Sequence, residues 1–180
     1  MTDSSSHLER LVALNASAAF NRLAHFEVVA AGDGTAEIEM RWSDDLTQYF
    51  GYLHAGVIAA LLDTACGFAA STLVGRVTAS HFSMNCLRPA VGRRFVAKGA
   101  TLRAGRKQVF AMAELFAENE QNQRVLVATG QTVWSRSLRG HSRDDYRGSP
   151  TPRTMRTRAT AMSTQPGCRP RVPQRLAIAP

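Results

Sequence analysis

Hydrophobic and polar positions alternate in blocks along this chain, and the period changes from block to block. From Leu8 to Leu23, Leu8, Leu11, Val12, Leu14, Ala18 and Ala19 recur near helical spacing, which predicts an amphipathic helix. Phe26 to Ala30 reads as a short strand, and Gly32-Asp33-Gly34 as a turn. Between Thr35 and Trp42 the period is two. Ala36, Ile38, Met40 and Trp42 take one face, and Glu37, Glu39 and Arg41 the other, as in a half-buried strand. Ser43-Asp44-Asp45 breaks it. Residues 55–74 are then almost wholly apolar, a helix with Gly75 as its stop. Period two returns over Thr78 to Leu87, Phe95 to Arg103, Gln108 to Glu118 and Arg124 to Trp134. The turns Ala104-Gly105-Arg106 and Glu118 to Asn122 join the last three into a meander.

The order helix, two strands, long helix, four strands predicts an α+β domain. A helix apolar all round must be covered on most sides, and a curved antiparallel sheet of five to six strands can wrap it. A membrane span of the same length is the competing reading of residues 55–74. Asp63 near its middle, with Thr64, Ser71 and Thr72, argues against one, because a central Asp costs about 2.5–3.5 kcal/mol on insertion scales.

Charge divides the chain. The full sequence of 180 residues carries a formal charge of +8, yet residues 1–137 hold 13 Lys and Arg against 12 Asp and Glu. Residues 138–180 hold 9 Arg against 2 Asp, together with six of the seven prolines. The expected domain is thus 1–137 and nearly neutral. The Arg-, Pro-, Ser- and Thr-rich tail 138–180 has too little apolar surface to offset ordering, so disorder is expected there. Nine arginines permit nonspecific phosphate contacts, but without interleaved aromatics no specific nucleic-acid binding is expected. Cys66, Cys86 and Cys168 lack metal-site spacing, and their odd number argues against a disulfide framework. The first ten residues lack the basic-then-apolar pattern of a signal peptide, which leads to the expectation of a cytoplasmic setting.

Asp63 is the first candidate for chemistry, since a carboxylate on an apolar helix must lose water or find partners. Read on its own it is equally a structural aspartate bridging Thr64 or Arg88. The segment HAGVIAALLD, His54 to Asp63, resembles the His-Gly-Gly-(x)6-Asp segment of hot-dog-fold acyl-CoA thioesterases related to those of phenylacetate degradation. MNCLRPA, Met84 to Ala90, is similar to the strand-ending Leu-Arg-Pro of that family. The strands running from Arg93 to Phe116 and from Arg124 to Trp134 follow in the family's order.

The resemblance implies a hot-dog fold and hydrolysis of an acyl-CoA to a carboxylic acid and coenzyme A, with coenzyme A thioester as substrate and neither metal nor other cofactor. It implies roles for three residues. Ala55 stands where the family has a glycine whose backbone N–H polarises the thioester carbonyl; a methyl group here enters the substrate's approach. Asp63 matches the general base or nucleophile, and Gln48 the residue that orients water or thioester. His54 and Gly56 flank the donor as substrate contacts, although a histidine before a helix also serves as a cap. His81, with Ser83 as competitor, aligns nearest the strand residue that holds the attacking water. Arg88, Arg106 and Lys107 are candidates for coenzyme A phosphates, with plain solvation as the other reading.

Spacing adds a constraint of its own. Eight residues separate Ala55 from Asp63, about 12 Å along a helix at 1.5 Å per residue. One thioester carbon cannot lie within about 3 Å of both. A site using both must take Asp63 from a second, antiparallel chain, so a homodimer or a homotetramer is expected. Two other functions remain open: a non-catalytic acyl or coenzyme A binding module, and a hot-dog hydratase or dehydratase. The second lacks the His-Phe-Pro-Gly-like segment usual to it.

Overall fold

The computed structural model describes residues 4–136. The elements are α1 (Ser4–Ser17), α2 (Ala19–Leu23), β1 (Glu27–Gly32), β2 (Thr35–Arg41), a 3₁₀ turn (Asp44–Leu46), α3 (Ala55–Val74), β3 (Val77–Cys86), β4 (Arg94–Ala104), β5 (Gln108–Glu118) and β6 (Arg124–Arg136). The expected disorder of 138–180 falls outside the described residues.

Six strands form one sheet in the order β1-β2-β4-β5-β6-β3, each antiparallel to its neighbours. The meander β4-β5-β6 is the one the turn residues predict. Strand β3 crosses to the far edge, where one side pairs with β6 and the other pairs with nothing among the described residues. The hydrophobic pattern of β2 is kept, with Ala36, Ile38 and Met40 buried.

Helix α3 lies along the inner face of this sheet, with Leu61, Leu62, Ala65, Cys66, Ala69 and Ala70 fully shielded. It is long and apolar enough to cross a membrane, yet most of it is covered by the sheet, as its internal Asp63 predicts. Two glycines set how closely helix and sheet approach. A Cβ at Gly99 of β4 would overlap the Ala65 carbonyl, and one at Gly67 would come within 2.7 Å of the Trp134 ring. The helix ends where the sequence predicts: Gly75, at φ 75°, donates its N–H to Ser71 O at 3.1 Å.

The N-terminal segment corrects one expectation. The single helix expected over 8–23 is broken at Ala18, which is extended at φ −80°, ψ 117°. Buried Asn15 explains the break. Its Nδ2 donates to Phe26 O at 2.6 Å, and its Oδ1 accepts from Asn21 Nδ2 at 2.9 Å. These bonds fold α2 back so that the chain enters β1.

Candidate active site

The site begins at the first turn of α3. His54 is extended (φ −63°, ψ 136°) and caps the helix: its Nδ1 accepts from Gly56 N–H at 2.9 Å, and its carbonyl accepts from Val57 and Ile58 N–H. Among the described residues this leaves Ala55 N–H without an acceptor, exposed at the positive end of a 20-residue helix. The cap reading of His54 is the one its geometry supports.

Preceding the helix is a tight turn. Gln48 N–H donates to Tyr52 O and Gly51 N–H to Gln48 O, both at 2.8 Å, with Gly51 at φ 77°. Gln48 Oε1 accepts from Phe50 N–H at 2.6 Å, so the carbonyl end of this side chain is held and its amide N–H2 group remains to donate. Leu53 N–H donates to Ala90 O at 3.0 Å, tying the turn to the strap that follows β3 and carries Arg88. Gln48, His54, Ala55, Gly56 and Arg88 therefore share one end of the sheet.

Asp63 stands two turns further along α3, half-buried beside the small residues Ala59 and Ala60. Its Oδ1 is buried with no hydrogen-bond partner, so neither bridge suggested by the sequence, to Thr64 or Arg88, is formed. Loss of hydration pushes its pKa above the usual aspartate value, and no cation among the described residues compensates. One turn on, burial pushes the Cys66 thiol up to about 12, with a further push from the Asp63 charge against a hydrogen bond from Thr132. Cys66 therefore stays protonated and acts as a small apolar residue.

Four of the candidates fall elsewhere. Strand β3 is bulged between Ala79 and His81, and beyond the bulge Phe82 and Met84 pack on the core. Alternation then turns His81 and Ser83 to the opposite, outer face, where they line a depression of about 90 Å³ with Leu102, Phe110 and Gln131. On this face they point away from the helix and from Asp63 of the same protomer. Arg106 and Lys107 occupy the β4–β5 turn, at the helix C-terminal end of the sheet. At about 3.3 Å per residue, eleven-residue β4 places them roughly 30 Å from its Arg94 end. They cannot act with Ala55 of their own protomer. No three His, Cys, Asp or Glu side chains gather as a metal site among the described residues.

The model of the thioesterase superfamily matches residues 50–123, a span that contains both Ala55 and Asp63. Over those residues the chain is similar to the thioesterase superfamily. Its fold is the hot-dog fold of that superfamily: a thioesterase family protein from Silicibacter pomeroyi superposes with a TM-score of 0.68 at 27% identity, over 72% of this chain and 96% of that one. The Escherichia coli PaaI protein, from the phenylacetic acid degradation operon, has the same fold at 19% identity, with a TM-score of 0.66 over 74% and 95% of the two chains. A curated relative, the medium/long-chain acyl-CoA thioesterase YigI of Salmonella typhimurium, is 37% identical over 84 residues, covering 38% of this chain. The match spans 54% of that relative's length, about half.

Sequence reasoning assigned no role to Tyr49, Phe50 and Tyr52, which the turn holds in solvent. The signal was two adjacent aromatics before a glycine, in a segment otherwise marked for a loop.

Proposed function

We propose that the protein is an acyl-CoA thioesterase whose two active sites each combine residues from two antiparallel copies of the chain. The observation that carries this reading is Asp63: a carboxylate with a buried, unpartnered oxygen on the same helix as an exposed, unpartnered N–H about 12 Å away at helical rise. Each group lacks what the other supplies. The half-buried small face of α3 and the unpaired edge of β3 are the surfaces through which a second copy would approach.

In the assembled site Ala55 N–H receives the thioester carbonyl oxygen, and the helix dipole adds to its pull on developing negative charge. The Asp63 carboxylate of the facing copy takes a proton from water as the water oxygen adds to the carbonyl carbon. The tetrahedral intermediate collapses by breaking the C–S bond. The departing thiolate then recovers the proton from Asp63, leaving carboxylic acid and coenzyme A. An elevated carboxylate pKa makes Asp63 a stronger base than one exposed to water. In this reading the Gln48 amide N–H2 group, left free to donate, orients water or thioester. The superfamily match and the acyl-CoA thioesterase relative support this choice over a binding module.

Thiol release from a panel of acyl-CoAs tests the proposal. The wild type should release coenzyme A from at least one chain length. A protein that retains acyl-CoA without cleaving any of them contradicts it.

A further inference from the structure

Helices commonly open on serine, threonine, aspartate or asparagine, whose side-chain oxygen accepts from an amide of the first turn. In α3 that place is taken by His54, whose Nδ1 accepts from Gly56 N–H at 2.9 Å. An imidazole nitrogen that accepts a hydrogen bond carries no proton, so this ring is neutral, with its N–H on Nε2. Gly56 makes the contact possible. A Cβ at position 56 would lie 3.0 Å from His54 Nδ1 and 3.3 Å from its Cε1, tighter than side chains normally pack. Ring and glycine therefore fit as a pair: the imidazole fills the space a side chain would take and occupies the amide beneath it. Val57 and Ile58 N–H are bonded to the His54 carbonyl. Of the first-turn amides, Ala55 N–H is then the one left to donate among the described residues.

We propose that His54 is a positioning residue: an uncharged cap, seated on Gly56, that leaves the positive end of α3 to act through Ala55 N–H. This rests on the thioesterase reading above, in which the carbonyl oxygen gains negative charge at that amide. A carboxylate cap would satisfy Gly56 N–H equally well, but it would set a full negative charge beside the developing oxyanion and offset the helix dipole. The neutral ring closes the helix without that repulsion. Its bond to Gly56 also holds His54 at ψ 136°, and that torsion sets where Ala55 N–H points.

The test compares His54→Asn, His54→Asp and His54→Ala in the full chain, reading kcat, KM, melting temperature and amide hydrogen exchange at Gly56. Asparagine and aspartate are nearly equal as helix caps and in shape, so these two variants differ in charge. His54→Asn should keep most of the wild-type kcat. His54→Asp should melt at least as high as His54→Asn, yet lose about tenfold in kcat with little change in KM, less than the roughly 10²–10³-fold cost of removing an oxyanion donor. His54→Ala should speed exchange at Gly56 and lower both melting temperature and kcat. In that background a further Gly56→Ala should cost no more kcat, because the ring it displaces is already gone. Equal kcat in the Asn and Asp variants would reduce His54 to a structural cap and overturn the proposal. So would a loss in His54→Asn as deep as in His54→Ala, or a further loss from Gly56→Ala, which would make Gly56 a direct substrate contact. A wild type that cleaves no acyl-CoA while Gly56 exchange still answers to His54 would sink the thioesterase reading and leave the His54–Gly56 pair standing.

Discussion

Two carboxylates shielded from water meet opposite fates in this domain. Glu118, 1% exposed at the end of β5, is the focus of three guanidinium groups: Arg93 at 2.7 Å, Arg94 at 2.8 Å and Arg124 at 2.9 Å. Arg94 engages both of its oxygens and reaches Glu39 with its other nitrogen. Hydrogen bonds from Arg94 and then Arg124 hold the Glu118 pKa down to about 2. Asp63 has no cation partner among the described residues and an unpartnered oxygen, and its pKa is raised. The first carboxylate has all its bonding capacity committed to joining β4, β5 and β6. The second retains the capacity to take a proton, which is what a general base needs. Burial alone does not mark a functional acid; burial without partners does.

The comparison breaks most visibly at Asp63. Asp63→Asn should lower kcat by at least about 10²-fold, the usual contribution of a general base. It should not lower stability at neutral pH. A raised folded-state pKa gives stability that is present at low pH and lost as pH rises through that pKa, so removing the charge removes a penalty. Thermal melting alongside thiol release separates the two effects, and near-wild-type turnover would refute the role. In the wild type, the acid limb of kcat should lie above the usual aspartate range.

Glu118→Gln should do the reverse, costing melting temperature while kcat per folded molecule stays unchanged. Here the folded pKa is depressed, so the stabilisation is present above the ordinary glutamate value of 4.5 and lost as pH falls towards about 2. The gap in melting temperature between variant and wild type should therefore close over that window. A gap independent of pH would mean packing, not charge. Arg94→Lys is the mildest change. A lysine has one ammonium nitrogen where Arg94 uses two to span Glu118 and Glu39, but Arg93 and Arg124 remain. Its loss of melting temperature should be smaller than that of Glu118→Gln and should have no effect on kcat; a loss as large as Glu118→Gln would make Arg94 the dominant partner.

Much of this was legible in the sequence because periodicity reports burial directly. β5 keeps the bounds expected for it, and α3 fills the apolar run up to Gly75. Asp63 stood out as the one charge in that run. What was not legible depends on long-range pairing. Nothing local says that β3 occupies an edge, or that Arg94 will meet Glu118 from 24 residues away and Arg93 from 25. Nor does the alternation of β3 reveal which of its faces meets the helix, and that hid the outward aim of His81 and Ser83. The break at Ala18 was missed because Asn15 acts through side-chain bonds to Phe26 and Asn21, which helical spacing cannot register.

The central claim, a site shared between two chains, is tested most directly by complementation. Ala55→Pro removes the N–H while suiting the first position of a helix, and His54 already has the extended backbone that a following proline requires. That variant and Asp63→Asn should each be inactive alone, the former by about 10²–10³-fold for loss of an oxyanion donor. Refolded together in equal amounts, they form mixed dimers with one intact site of two, so roughly a quarter of wild-type activity should return. Mixed dimers that form but stay inactive would contradict a shared site, as would full activity from a monomer.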